Sequence, residues 1–251
     1  MAEPAGRSAA IGPTEPGDRA AIDVSVVLPA HNEELYVEAA LGSILGQTWP
    51  LGRIEAIVVA NGSTDRTNRV VRAFAEAHPE LAVRLIADPV RGIARSKNRG
   101  ARIARGELFL FFDADSRMAP DLVGRVIERA RAGQPAGDIR LVADSADPLD
   151  RAFFGLIEFG KRLFSIRANM LYCARDLFER FGGFDERLRH AEDRDLLLRL
   201  QRAGIAVGHL DESFIATSPR RLRRLPFRLG TLTTLGRWTL GHLGIGRRWP
   251  Y

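Results

Sequence analysis

Val24-Ser25-Val26-Val27-Leu28-Pro29 is apolar at all but one position and carries three β-branched residues, with no polar alternation. Such a run reads as a strand buried on both faces, and a sheet covered on both faces needs helices above and below it. The chain downstream supplies them. Leu35 to Leu45 has helical spacing, with Leu35, Ala39 and Ser43 on one line and Val37, Leu41 and Ile44 beside it. Ile54–Ala60, Ala82–Ala87 and Leu108–Phe112 read as further strands. Asp65–Ala77, with Val70, Val71 and Phe74 inward, Ile93–Arg105 and Asp121–Ala132 read as the helices between and after them. Strand and helix alternating in units of about 25 to 30 residues imply right-handed crossovers and an α/β fold with a mostly parallel central sheet. The second half is less regular: a helix over Leu149–Ile166 rich in phenylalanine (Phe153, Phe154, Phe159, Phe164), a strand over Asn169–Ala174, a short helix over Arg175–Phe181 ended by Gly182-Gly183, and an amphipathic helix over Glu192–Ala203 stopped by Gly204.

The 251 residues are 45% hydrophobic and 27% charged, which suits one large domain with a modest appendage and excludes a disordered, collagen-like or disulfide-stapled chain. Cys173 is the one cysteine, so there is no intrachain bridge, and a reducing, cytoplasmic setting is expected. No stretch approaches the roughly 20 apolar residues of a membrane-spanning helix. Residues 1–21 are rich in Ala, Gly and Pro, lack the apolar core of a secretory signal and read as disordered. The expected domain occupies 22–217 and a basic amphipathic extension 218–251. The net charge of +6 is local: from Ser213 to Tyr251 there are eight arginines and no acid. That argues against a nucleic-acid-binding surface and for a confined site facing phosphate or anionic lipid. Lys97 and Lys161 are the only lysines among 37 basic residues, a bias read as codon composition.

Ligands of open parallel sheets bind beyond the carboxyl ends of the strands. The first strand runs into Pro29-Ala30-His31-Asn32-Glu33-Glu34 and the second into Ala60-Asn61-Gly62-Ser63-Thr64-Asp65; each is equally readable as an ordinary helix cap or as a ligand loop. The fourth strand ends directly in Asp113-Ala114-Asp115. Two carboxylates at the mouth of a buried strand call for a counter-charge, and hard oxygen ligands suit Mg²⁺ or Mn²⁺; helix capping or pairing with Arg117 is the plain alternative. In Gly92-Ile93-Ala94-Arg95-Ser96-Lys97-Asn98-Arg99-Gly100, Arg95 and Lys97 open a helix against its dipole, which an anionic diphosphate would explain. Glu192-Asp193-Arg194-Asp195 starts another helix, where the acids are either caps or a general base.

Taken in order, these blocks, together with Gly182-Gly183-Phe184-Asp185, resemble the family 2 glycosyltransferases, whose catalytic domain has the GT-A fold. The resemblance runs from about Val24 to Ala203. It implies a nucleotide-sugar donor, a divalent cation (Mn²⁺ or Mg²⁺) and inversion at the anomeric carbon. By position it implies that Asp113 and Asp115 hold the metal and diphosphate, and that Pro29, His31, Glu33 and Asn61 form the nucleoside pocket. Lys97 and Asn98 fall where the family contacts the donor, Asp193 matches the catalytic base, and Glu192 orients it or the acceptor.

Ala60 departs from the pattern, because the family often has an acid there that helps read the base; a uridine donor is therefore not implied. A Gln-x-x-Arg-Trp motif and the membrane helices of processive synthases are absent, so transfer of single sugars is expected. His209 is expected to be a structural or surface histidine rather than a further metal ligand. A nucleotidyltransferase would need a glycine-rich cationic loop after the first strand, and a non-catalytic module on the same fold would tolerate loss of Asp113, Asp115 or Asp193, all of which are present. In the extension, Leu222, Leu225, Leu229 and Leu232 recur beside Arg221, Arg224 and Arg228, with Trp238 and Trp249 further on. Such a segment either packs on the domain or lies peripherally on an anionic membrane surface, beside a lipid-linked acceptor.

Overall fold

The computed structural model describes residues 22–223. Eight strands form a single sheet in the order β3-β2-β1-β4-β7-β6-β8-β5. The first four are β1 (Val24–Ala30), β2 (Ile54–Asn61), β3 (Ala82–Asp88) and β4 (Leu108–Phe111), parallel to one another. Their crossovers are helices α1 (Val37–Leu45), α2 (Thr67–Ala77) and α3 (Ile93–Ile103). The side chains of each strand divide between two cores, following the period of two along a strand. Val24, Val26 and Leu28 of β1 join α1, α2 and α4 (Leu122–Arg131) through Val37, Leu41, Ile44, Phe74 and Val126. Val27 joins the other face with α3, α6 (Arg175–Arg180) and α7 (Glu192–Arg202) through Ala94, Ala101, Phe178, Leu196 and Leu200. Both faces being covered is why the strands read as unbroken apolar runs.

The second half is mixed rather than parallel. β7 (Leu171–Ala174) is antiparallel to β4 and to β6 (Ala136–Ala143), while β8 (Val207–Thr217) runs parallel to β6 and antiparallel to β5 (Ser116–Met118). The sequence does not announce β5, β6 or β8. β5 has three residues. β6 contains a fully buried Asp138, and a register shift between Ile139 and Leu141 disturbs its ladder with β8. α5 (Pro148–Leu163) packs against β6 and sends the fully buried Lys161 to Asp138, 2.9 Å away, and to Glu158, 2.9 Å away. His209 lies within β8. Its Nδ1 is 3.2 Å from Asp138, which makes it a structural histidine.

Gly106, between α3 and β4, is a seat for β1. Its N–H donates to Ser25 Oγ at 2.7 Å, and a Cβ there would stand 2.5 Å from the Ser25 backbone nitrogen. Backbone cannot yield as a flexible side chain can, so Gly106→Ala is expected to cost about 1–3 kcal/mol. Thermal denaturation checks this; an unchanged midpoint would show that the loop is not seated on β1. Among the described residues no helix is long and apolar enough to cross a membrane. Residues 1–21 and most of the basic extension, 224–251, lie outside the described residues, so the expectations made for them lie there too.

Candidate active site

The parallel half of the sheet brings its carboxyl ends together, and the expected residues gather there. β4 pairs with β1 only as far as Val27, so beyond it the end of β1, including Pro29, has β2 as its sole strand neighbour and borders an open mouth. Two loops lace the β1 and β2 exits. His31 Nδ1 donates to the Asn61 carbonyl at 2.8 Å, and Asn61 Nδ2 donates to the Ala30 carbonyl at 3.1 Å. Asn32 adopts φ 55°, the left-handed region that asparagine tolerates, and its Oδ1 accepts the Thr64 N–H at 2.9 Å. Gly62 turns with φ 63°, where a Cβ would stand 2.8 Å from the Arg91 side chain. The Glu33 N–H donates to Thr67 Oγ1 at 2.9 Å, fixing its buried carboxylate at the rim. These bonds rigidify a polar ledge formed by His31, Glu33 and Asn61.

A buried ion cluster joins α3 to α7. Lys97 Nζ lies 2.8 Å from Glu192 Oε1 and 2.6 Å from Asp193 Oδ1, with its side chain 3% exposed. It also sits over the Phe184 ring, 5.2 Å from the centroid, and Phe184 packs edge-on against Phe111 of β4. The aromatic core thus carries the lysine. α7 begins abruptly: Ala191 takes φ 60°, a conformation strained for a residue with a Cβ, and turns Glu192 and Asp193 into the first helical turn, where the dipole favours acids. Burial alone would lower the Lys97 ammonium, but Asp193, Glu192 and Asp113 raise it above its ordinary value, so it is charged. For Asp193, burial raises the carboxyl, Lys97 opposes that, and Glu192 and Asp113 add to it; the net result is an upward shift to about 8. One ammonium does not offset burial and two neighbouring acids together, so Asp193 holds its proton unusually tightly.

Arg95 and Lys97, expected to face a diphosphate, both have carboxylate partners. Arg95 Nε is 3.3 Å from Asp88 at the end of β3, and Arg99 Nη1 is 2.8 Å from the same carboxylate. Asn98 is engaged at both ends of its amide: Oδ1 accepts the Phe184 N–H at 2.9 Å, and Nδ2 donates to the Phe184 carbonyl at 2.9 Å and to Glu186 at 3.0 Å. It holds the loop after Gly182-Gly183 beside Lys97.

Asp113 and the buried Asp115 follow β4 at the same mouth. Asp113 is close enough to Lys97 and Asp193 to act on both electrostatically. Asp115 meets a residue that the sequence did not single out. Arg220, on the short turn Pro219–Arg221 after β8, reaches Asp115 Oδ2 with Nε at 3.0 Å and Nη2 at 2.9 Å, and its Nη2 also pairs with Glu33. In the sequence Arg220 is one of many arginines in a basic stretch; only Ser218-Pro219 before it, an N-cap and first-position pair, hints at an ordered turn. Among the described residues no group of three or more His, Cys, Asp and Glu side chains is arranged to hold a metal ion. The donor set nevertheless fits a hard divalent cation, which is commonly held by one or two carboxylates and completed by water and substrate phosphates. That Asp115 already draws a guanidinium shows that this position wants positive charge.

The fold matches a known class. Residues 25–175 match the family model described as glycosyl transferase family 2, and the chain belongs to that family. It is 28% identical over 198 residues to the probable glycosyltransferase YdaM of Bacillus subtilis, covering 72% of this chain and 47% of that protein. It is 31% identical over 187 residues to a PGL/p-HBAD biosynthesis glycosyltransferase of Mycobacterium bovis, covering 70% and 68%. Among solved structures it resembles the mannosyltransferase PcManGT of Pyrobaculum calidifontis in complex with GDP-Man and Mn²⁺ (TM-score 0.63, 25% identity, 85% of this chain and 64% of that one). It also shares its fold with S. aureus TarS in complex with UDP (TM-score 0.60, 20% identity, 79% and 61%). The chain thus spans about half the length of YdaM and under two thirds of these two structures.

Proposed function

We propose that this chain is a metal-dependent, inverting glycosyltransferase that moves one sugar from a nucleotide-sugar donor to an acceptor hydroxyl. The observation that carries the reading is the buried Lys97–Glu192–Asp193 cluster within electrostatic reach of Asp113. The family membership and the GDP-Man and Mn²⁺ bound by PcManGT support it. The His31, Glu33 and Asn61 ledge, with Pro29 at its base, would take the nucleoside, and Asp113 and Asp115 would hold Mn²⁺ or Mg²⁺. When bound, that cation supplies Lewis-acid neutralisation of the leaving diphosphate.

The chain's own residues do the rest. Lys97 Nζ donates to Asp193 Oδ1 at 2.6 Å and so fixes the carboxylate. Asp193 takes the acceptor hydroxyl proton while the freed oxygen forms its bond to the anomeric carbon and the bond to the diphosphate breaks on the opposite face, which inverts the configuration. Lys97, shared with Glu192, holds the base in place, and the raised carboxyl keeps its proton affinity high enough to accept a proton from an alcohol. Incubation with Mn²⁺ and a panel of nucleotide sugars tests the reading: release of the nucleoside diphosphate from one of them is expected, and no release from any would overturn it. Asp115→Asn is expected to lower Mn²⁺-dependent nucleotide affinity by at least about 10-fold while the fold persists, because one charged metal ligand is lost. Equilibrium dialysis with nucleotide and Mn²⁺ measures it, and an unchanged affinity would remove Asp115 from the metal site.

A further inference from the structure

Arg220 joins the two halves of the site. Its turn is anchored to the strand that carries the acids, since the Ser218 N–H donates to the Asp115 carbonyl at 3.1 Å and Ser218 Oγ accepts the Arg220 N–H at 3.3 Å. Its guanidinium bridges Glu33, on the nucleoside side, and Asp115, on the metal side, and stacks on the Tyr36 ring 4.5 Å from the centroid. The side chain is 30% exposed and lines a cavity of about 420 Å³ that also reaches Tyr36, Asp115 and Arg223. A guanidinium held between two acids, planar and within reach of solvent, has the same fork to offer a phosphate.

We propose that Arg220 is the donor's placeholder: it neutralises Glu33 and Asp115 in the nucleotide-free protein and transfers its fork from Asp115 to the donor's diphosphate when the donor binds. The inference rests on the donor site assigned above. It gives Arg220 two effects of opposite sign. Toward the diphosphate it is a ligand, and its loss weakens binding. Toward a divalent cation alone it is a competitor for Asp115, and its loss strengthens binding. Nucleotide and cation are therefore coupled through one side chain, since the diphosphate that draws Arg220 away also frees the carboxylate for the metal. A merely structural bridge would produce no such opposition.

The test uses the full chain as wild type, Arg220→Ala and Arg220→Lys. Binding of Mn²⁺ alone is read from the electron paramagnetic resonance signal of the free ion. Binding of UDP and GDP at saturating Mn²⁺ is read by calorimetry, with uridine and guanosine as controls. Removing one or two charge-assisted bonds should weaken the bound diphosphate by about 10- to 100-fold in Arg220→Ala and leave the nucleoside controls unmoved. The same variant should bind Mn²⁺ alone more tightly than wild type, by about 10-fold if a single carboxylate is released from competition. Arg220→Lys, which keeps the charge but not the fork, should shift both in the same senses by less, and it carries the test if the alanine variant does not fold. Shifts of the two affinities in one direction, or no shift in either, would overturn the inference while wild-type binding of UDP or GDP left the donor site standing. Failure of wild type to bind either diphosphate with Mn²⁺ would overturn the donor site and the inference together.

Discussion

Asp193→Asn is expected to lower turnover by about 10²- to 10⁴-fold with donor affinity nearly unchanged, the signature of a lost general base rather than a lost binding contact. Asparagine keeps the length of the side chain and a carbonyl oxygen for Lys97 but cannot take a proton. The pH profile supplies a second readout. Burial, partly opposed by Lys97, raises the Asp193 carboxyl to about 8. A base works deprotonated, so wild-type kcat/KM should fall as pH drops below about 8, and that limb should be missing from the residual activity of Asp193→Asn. Steady-state rates across pH 6 to 10 decide the matter. Near-wild-type turnover in the variant, or an acid limb that survives in it, would assign the base elsewhere.

Lys97→Met should have the largest effect on stability. The methionine fills similar space against Phe184, but it leaves Glu192 and Asp193 buried with no cation between them. Removing one partner from a buried ion pair costs about 3–5 kcal/mol, and for a domain of this size that lowers the melting temperature by about 6–20 °C. The loss should depend on pH in a definite sense. Without the ammonium the Asp193 carboxyl loses the one group that opposes its burial, so its folded-state pKa stays above its unfolded one and the folded variant binds the extra proton. Its stability is then greatest at low pH and declines as pH rises through that raised value. The gap to wild type should therefore be smaller near pH 5 than near pH 8. Calorimetric or dichroism melts at the two pH values measure it, and a gap that is absent, or wider at pH 5, would contradict the role given to Lys97.

How far the sequence reveals this molecule follows from where the determining contacts lie. The strands β1, β2 and β4 are legible because burial on both faces writes itself locally as unbroken apolar runs. β6 and β8 are not, because their polar residues are satisfied by distant partners. Asp138 in β6 looks foreign to a buried strand until Lys161 of α5 and His209 of β8 are beside it. Each acid of the site could be located, since carboxylates at strand ends and helix starts are visible in order. Their pairing could not: Lys97 and Asp193 are far apart in the chain, and nothing local to either names the other. One clue lay in the composition. In a chain where arginine supplies nearly every cation, the two lysines are both buried, each between two carboxylates. A compact ammonium with three donors can serve both carboxylates of such a site at once. Arg220 had no comparable signal, because in the sequence it differs from its arginine neighbours only by the turn that precedes it.

The most direct measurement is calorimetric titration of nucleoside diphosphates, each base in turn, into the full chain with and without Mn²⁺. Saturable binding of at least one of them, strengthened by Mn²⁺, with that strengthening cut by at least about 10-fold in Asp115→Asn and preserved in Asp193→Asn, is the expected result. Binding of none, or binding that Asp115→Asn leaves intact, would contradict a donor site at the carboxyl ends of these strands.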